Sequence, residues 1–334
     1  MTFTNRGNRI NRLVLGALAL GAAATLVSCA ATQGSPSTDA PSGELTAITV
    51  ATLPTSNLAA IHLGIQEGFF EEEGLDVTTQ DVQSGSDMIT GLLSGTFDFA
   101  CAGYIPFFTA ASQGLPIRII AGNDVGGRTP DEDWQVTLTG ANSPVTSVED
   151  LQTATVGVNQ LKGVAEIAVR ASLQEQGYDD AKVEFVEIPF PEMPAALASG
   201  TIEAAYAPEP FISSVIAAGG AIVDTPSAVL GEGFPNGAWG SSLELTETAP
   251  DLVASFNRAM AKSLDLAADD SDAVRAIIPT YTQVPVEVAS EMRLPVFTPE
   301  LDRAQLERLL ELMQTFGVIE TVPTWDEIVY EPEN

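Results

Sequence analysis

Leu93-Ser94-Gly95-Thr96-Phe97-Asp98-Phe99-Ala100 is answered 105 residues later by Ala198-Ser199-Gly200-Thr201-Ile202-Glu203-Ala204-Ala205. Serine, glycine and threonine stand in the same places in both copies. An acidic residue follows at the same step, within a short apolar run. Each octapeptide reads as the end of a short helix, a turn of small residues and the start of a strand. The interval is too long for a solenoid, whose units run roughly 20–50 residues. Two lobes built on one plan account for it.

Outward from the first copy, apolar runs alternate with helical spacing. Ile48 to Leu53 predicts a buried strand, and Leu58, Ile61, Ile65 and Phe69 recur at helical steps after it. Leu75 to Thr79, Phe97 to Cys101 and Ile117 to Ala121 predict three further strands. A short helix carries Ile89, Leu92 and Leu93, with Ser86 or Asp87 as its cap. Around the second copy the series repeats. Thr155 to Val158, Val183 to Ile188, Ile202 to Tyr206 and Ala221 to Asp224 predict strands; Val164 to Gln176 and Met193 to Ala198 predict helices. Asp251 to Ala267, Asp272 to Thr282 and Thr298 to Phe316 predict a helical C-terminal third. Such alternation predicts an α/β protein in which each lobe holds a mixed, mainly parallel sheet flanked by helices.

The N-terminus reads as an address. Arg6, Arg9 and Arg12 precede an apolar run from Leu13 to Val27. That run is shorter than the roughly 20 residues a bilayer span needs and fits a signal-peptide core over residues 1–28. It ends in Leu26-Val27-Ser28-Cys29, which resembles the lipobox of bacterial lipoproteins. The resemblance implies cleavage before Cys29 and acylation of its sulfur, with palmitate among the chains. Residues 29–43 continue as AATQGSPSTDAPSG after the cysteine, too polar to bury a core, and read as a flexible tether. The expected place is the cell envelope, outside the cytoplasm, held to the membrane through the lipid anchor only.

The chain has 45 acidic and 14 basic residues, a net charge of −31, which excludes nucleic acid as a natural partner. His62 is the single histidine, and Cys101 the single cysteine besides Cys29. Neither a metal cluster nor an internal disulfide follows from that inventory. No metal and no cofactor are expected. Cys101, within an apolar strand, reads as a buried structural thiol. His62, at helical spacing from Leu58, is expected at the cleft rim or in solvent.

Three stretches carry a family resemblance: Leu63-Gly64-Ile65-Gln66-Glu67-Gly68-Phe69-Phe70-Glu71-Glu72-Glu73-Gly74-Leu75-Asp76-Val77, the unit from Gly91 to Ala100, and Ala207-Pro208-Glu209-Pro210-Phe211. They resemble the substrate-binding proteins of ABC importers for nitrate, aliphatic sulfonates, taurine and thiamine pyrimidine precursors. The resemblance implies a two-lobed clamshell like the type II periplasmic binding proteins. By that analogy lobe 1 comprises 44–140 plus 226–334, and lobe 2 comprises 141–225. It further implies a small-molecule ligand, an ABC permease and its ATPase as partners, and a monomer.

Ligands of open α/β sheets collect beyond the carboxyl ends of the strands, where helix N-termini offer unpaired N–H groups. That rule selects Ser56 and Asn57 after the first strand, Ser84 and Gly85 after the second, Tyr104 after the third, and Asn123 and Asp124 after the fourth. In the second lobe it selects Asn159, Lys162 and Gly163, then Glu192, then Glu209. Caps and turns explain several of these equally well. Glu209, between two prolines, has no obvious capping role. Asp124, Glu192 and Glu209 against Lys162 favour a neutral or amine-bearing ligand such as an aminopyrimidine. Helix N-termini hold anions without basic side chains, so nitrate and sulfonates remain open. Two other readings share the fold: a ligand-sensing lipoprotein, and an enzyme of thiamine-pyrimidine synthesis. The latter needs a cysteine-rich iron motif that this chain lacks.

Overall fold

The computed structural model describes residues 44–226, 231 and 233–331. The expected signal segment, acylated Cys29 and the tether to Gly43 lie outside these residues. Among the described residues no helix is long and apolar enough to cross a membrane.

The strands are β1 (Thr46–Thr52), β2 (Leu75–Asp81), β3 (Phe99–Gly103), β4 (Ile117–Val125), β5 (Gln135–Thr139), β6 (Thr155–Val158), β7 (Glu184–Glu187), β8 (Ala204–Pro208), β9 (Ala221–Asp224), β10 (Pro235–Ser242) and β11 (Val296–Phe297). Helices α1 (Ala59–Gln66), α2 (Phe69–Glu72), α3 (Gly85–Ser94), α4 (Tyr104–Ser112), α5 (Val164–Glu175), α6 (Met193–Ser199) and α7 (Phe211–Ala217) alternate with them. A first sheet has the order β11-β4-β10-β3-β1-β2, and a second the order β7-β6-β8-β5-β9. In each, one strand lies parallel between two partners: β1 between β2 and β3, β6 between β7 and β8. In each, the antiparallel strand that directly follows a crossover inserts: β10 beside β3, β5 beside β8. The molecule is a two-lobed α/β clamshell.

One boundary differs from the expected one. The analogy places residues up to 140 in lobe 1, yet β5 is hydrogen-bonded to β8 and β9 in the second sheet. The chain crosses between Val125 and Gln135, in a stretch rich in glycine, proline and acidic residues. It returns between Asp224 and Pro235.

The octapeptides occupy matching places. α3 ends at Gly95 and α6 at Gly200, both in the left-handed conformation (φ 69° and 71°), where a glycine carries no Cβ penalty. Ser94 Oγ lies 2.9 Å from Thr96 Oγ1, and Ser199 Oγ 2.9 Å from Thr201 Oγ1. The outer face of the first sheet is covered by the helix Pro250–Asp269, which buries Val253, Phe256, Ala259, Met260 and Leu264 at helical steps. Phe256 stacks on Phe99 at 4.0 Å and meets Trp239 edge-on at 5.4 Å. Trp239 is thus a core residue.

Candidate functional site

The carboxyl ends of both sheets face each other, and a cavity of about 90 Å3 lies between them. From lobe 1 it is lined by Leu53, Thr55 and Asn57 after β1, Gly85 at the start of α3, Cys101 to Gly103 and Pro106 around the β3–α4 turn, and Asn236 and Gly237 of β10. From the second sheet and its loops come Gln135, Asn159, Gln160, Gly163 to Ala165, Phe190, Tyr206 and Pro208, with Trp134 beside them. No Asp, Glu, Lys, Arg or His stands among the lining residues. Five amide side chains do: Asn57, Gln135, Asn159, Gln160 and Asn236.

Helices α3, α4 and α5 begin at this wall, at Gly85, Tyr104 and Val164. The first N–H groups of a helix have no partner within it and carry partial positive charge. Asn236 adds a donor: it is 8% exposed, and its Nδ2 is buried without a hydrogen-bond partner. The Tyr206 hydroxyl donates to Gln135 Oε1 at 2.8 Å, which points the Gln135 amide nitrogen the other way. Glycines let the walls approach. A Cβ at Gly85 would sit 2.6 Å from Pro106 Cγ and 3.4 Å from Gln160 Oε1 of the other lobe. One at Gly103 would sit 3.3 Å from Val164 Cγ2, also across the cleft.

Of the twelve residues selected from sequence, Asn57, Gly85, Asn159 and Gly163 reach the wall. Ser84 caps α3, its Oγ accepting from Asp87 N. Ser56 is fully buried, and its N–H donates to the Glu209 carbonyl at 3.0 Å. Tyr104 is buried in the core beneath the turn, against Phe108. Lys162 is exposed at φ 56°, with its N–H bound to Glu166 Oε2. Glu192 is exposed at the start of α6.

Two expectations are corrected. Asn123 and Asp124 lie within β4 and not in a loop after it, because antiparallel β10 and β11 extend the pairing through Val125. Both are buried one layer behind the wall. Asn123 Nδ2 donates to Asn57 O and to Asp124 Oδ1, and its Oδ1 accepts from Trp239 Nε1 at 2.9 Å. Asn57 Nδ2 donates to Asp124 Oδ1 at 2.9 Å, and Thr55 Oγ1 donates to Asn57 Oδ1 at 2.7 Å. Glu209 has the capping role it was expected to lack: Ser213 N and Oγ donate to its carboxylate at 3.0 and 2.8 Å, at the first turn of α7. Arg293 N, from lobe 1, also donates to it. Burial pushes the Glu209 carboxyl up against these hydrogen bonds. His62 is not a lining residue; it is partly exposed and stacks on Tyr281 at 3.9 Å, and burial lowers its pKa from 6.5 to about 4.

The sequence reading missed Gln135, Asn236 and Gly237 as wall residues and did not single out Gln160 within its loop. Gln160 adjoins Asn159 and follows the same strand-end rule. Asn236 and Gly237 lie in β10, whose Pro-Asn-Gly-Ala-Trp-Gly-Ser-Ser sequence lacks any β-branched residue to signal a strand.

Residues 42–280 match the model of the NMT1-like family. The chain belongs to the NMT1-like family. Its fold is shared with solved structures of low identity. One is the ligand-binding component of an ABC-type import system from Staphylococcus aureus, with zinc bound (TM-score 0.75, 14% identity, 85% of this chain and 96% of that one). Another is the periplasmic aliphatic sulphonate-binding protein SsuA of Escherichia coli (0.70, 16%, 87% and 94%). A third is the periplasmic nitrate-binding protein NrtA of Synechocystis (0.63, 18%, 73% and 69%). No curated protein matches the sequence. Within this NMT1-like chain, no three His, Cys, Asp or Glu residues gather as metal ligands among the described residues.

Proposed function

We propose that this NMT1-like protein is an extracytoplasmic solute-binding lipoprotein that captures a small molecule between its lobes and delivers it to the permease of an ABC importer. The observation that carries the reading is the cavity wall: both lobes contribute, three helices begin at it, and no ionised side chain lines it. Such a wall is rich in donors and suits an acceptor-rich solute. A small oxyanion, such as a sulfonate or nitrate, fits that chemistry. The carboxylates that favoured an amine-bearing ligand are off the wall. The ligands named for the sulphonate- and nitrate-binding relatives support the same choice.

Binding without catalysis fits the wall as well. The Cys101 thiol lines it, but burial pushes its pKa well up, away from the reactive thiolate. The single histidine is stacked away from it. No base stands beside a nucleophile among the lining residues.

Thermal unfolding of the purified protein with nitrate, taurine, alkanesulfonates, aminopyrimidines and small amines tests the reading. A solute at about 100 times its dissociation constant adds about 2.7 kcal/mol. A shift with an oxyanion is the expected result. A shift with amines alone would overturn the ligand class, and no shift with any compound would count against solute capture of these classes.

A further inference from the structure

Behind the wall, Asp124 is the one ionisable member of a buried hydrogen-bonded chain. That chain runs from Trp239 through Asn123 and Asp124 to Asn57. Asp124 is 1% exposed. Its Oδ1 accepts two amide N–H groups, while its Oδ2 is buried and has no hydrogen-bond partner. Only Asn57 and Gly237 separate it from the cavity: a Cβ at Gly237 would lie 2.5 Å from Asp124 Oδ1 and 3.3 Å from Asn57 Nδ2. The other titratable groups coupled to it are the Cys101 thiol on β3 and the Tyr104 phenol on α4, both pushed upward by burial and so uncharged. Its remaining neighbours, Asn57 in the turn after β1, Gly237 and Trp239 on β10 and Phe297 on β11, carry no charge. No cation offsets a carboxylate here, and an unpaired buried charge is disfavoured.

We propose that Asp124 is the proton-binding group behind this cavity wall, and that its protonation state sets the ligand charge the cavity accepts. The second half rests on the solute-binding reading. Burial, opposed by the Asn57 and Asn123 hydrogen bonds, raises the Asp124 pKa from 3.8 to about 7. With Asp124 neutral, the donors of the wall meet an anion without opposition. With Asp124 ionised, a like charge sits one layer away in a medium of low dielectric constant. Capture of an anion therefore draws a proton onto Asp124.

The sign for the ligand-free protein follows. The fold holds a proton that the unfolded chain releases, so stability is lost as pH rises from 3.8 through about 7. Asp124→Asn mimics the neutral acid and does not titrate. The melting temperature of the variant minus that of the wild type should widen between these pH values and then level. A difference independent of pH overturns the proposal. Infrared spectra of the wild-type protein test the same assignment without a variant: a protonated-carboxyl band should fade as pH rises through about 7, and its absence on the acid side overturns the assignment. For the ligand half the probe is methanesulfonate. Wild-type affinity should fall about tenfold per pH unit above about 7, while Asp124→Asn stays flat. A flat wild-type profile overturns the coupling. No binding of methanesulfonate by either protein at any pH overturns the ligand half together with the oxyanion reading, while the melting and infrared results still decide Asp124 itself.

Discussion

Asp98 and Glu203 do the same work in the two lobes. Asp98 Oδ2 accepts the Thr49 N–H of β1 at 2.7 Å, and Glu203 Oε2 accepts the Thr155 N–H of β6 at 2.9 Å. The main chain repeats the correspondence: Asp98 N donates to Thr49 O, and Glu203 N to Thr155 O, both at 2.9 Å. Each carboxylate thus pins the strand that the octapeptide opens to the parallel strand beside it in its own lobe. The side chains differ by one methylene, and each still reaches its target.

Hydrogen bonds to charged groups contribute about 1.5–3 kcal/mol. Both carboxylates are half-buried, so the lower part of that range applies. Asp98→Ala and Glu203→Ala should each destabilise the protein by about 1–2 kcal/mol in urea unfolding. Asp98→Asn and Glu203→Gln, which keep an acceptor oxygen, should cost less. Amide exchange should accelerate at Thr49 in the first variant and at Thr155 in the second. Equal loss at both sites from either variant would show that the two clamps are not local.

The glycines of the same turns give a second test. Nothing lies within 4 Å of a Cβ built at Gly95 or Gly200, so crowding is absent and only the left-handed backbone resists a side chain. That conformation costs an L-residue about 1–2 kcal/mol. Gly95→Ala and Gly200→Ala should lower stability by about that amount, and Gly95→Asn and Gly200→Asn by less, because asparagine tolerates the left-handed region. Melting temperatures of the four variants decide it. Alanine variants as stable as the wild type would remove the conformational explanation.

These turns were legible because turn chemistry is local: a glycine in the left-handed region and an acid one step before the strand are fixed by neighbours in sequence. The parallel strands were legible for the same reason, as short apolar runs bounded by helical spacing. β10 was not. Its strand state is imposed by β3 and β4 on either side, and its Gly-rich sequence contains no reason of its own to be extended. The placement of β5 failed for the related reason that a strand's sheet is decided by distant partners. In the site, the strand-end rule found the residues that helix starts present to the cleft. It misplaced Asp124 and Glu209, because a carboxylate on a wall and one behind it look alike until the partners Asn57, Asn123, Ser213 and Arg293 are known.

Asn236 separates ligand contact from structural support. Its Nδ2 has no protein partner, so Asn236→Ala removes an unsatisfied buried donor, a group whose burial costs about 1–3 kcal/mol. The ligand-free variant should therefore melt no lower than the wild type. Affinity for an oxyanion ligand should fall by about tenfold or more, the loss of one hydrogen bond to a charged group. Paired titrations and melting curves of the two proteins provide the check. A variant that binds as tightly as the wild type would show that Asn236 Nδ2 is not a ligand donor.

His62 gives the last test, through pH. Burial disfavours its charged form, against attraction from Asp81, and lowers its pKa from 6.5 to about 4. The unfolded chain therefore binds a proton that the fold refuses. The contribution is complete above pH 6.5 and is lost as pH falls from 6.5 to about 4, at about 1.4 kcal/mol per unit. His62→Phe preserves the stack on Tyr281, which in turn holds Thr55 at the cavity through a hydrogen bond from its hydroxyl to the Thr55 carbonyl at 3.0 Å. Phenylalanine does not titrate, so the variant should gain stability relative to the wild type as pH drops through this window and match it near pH 7. Asp124 acts with the opposite sign over nearly the same range, so the two groups offset each other in the wild type and each becomes visible when the other is neutralised. Urea unfolding of the wild type and His62→Phe at half-unit steps from about pH 4 to about pH 7 measures the difference. A constant offset would mean that His62 keeps its ordinary pKa in the fold.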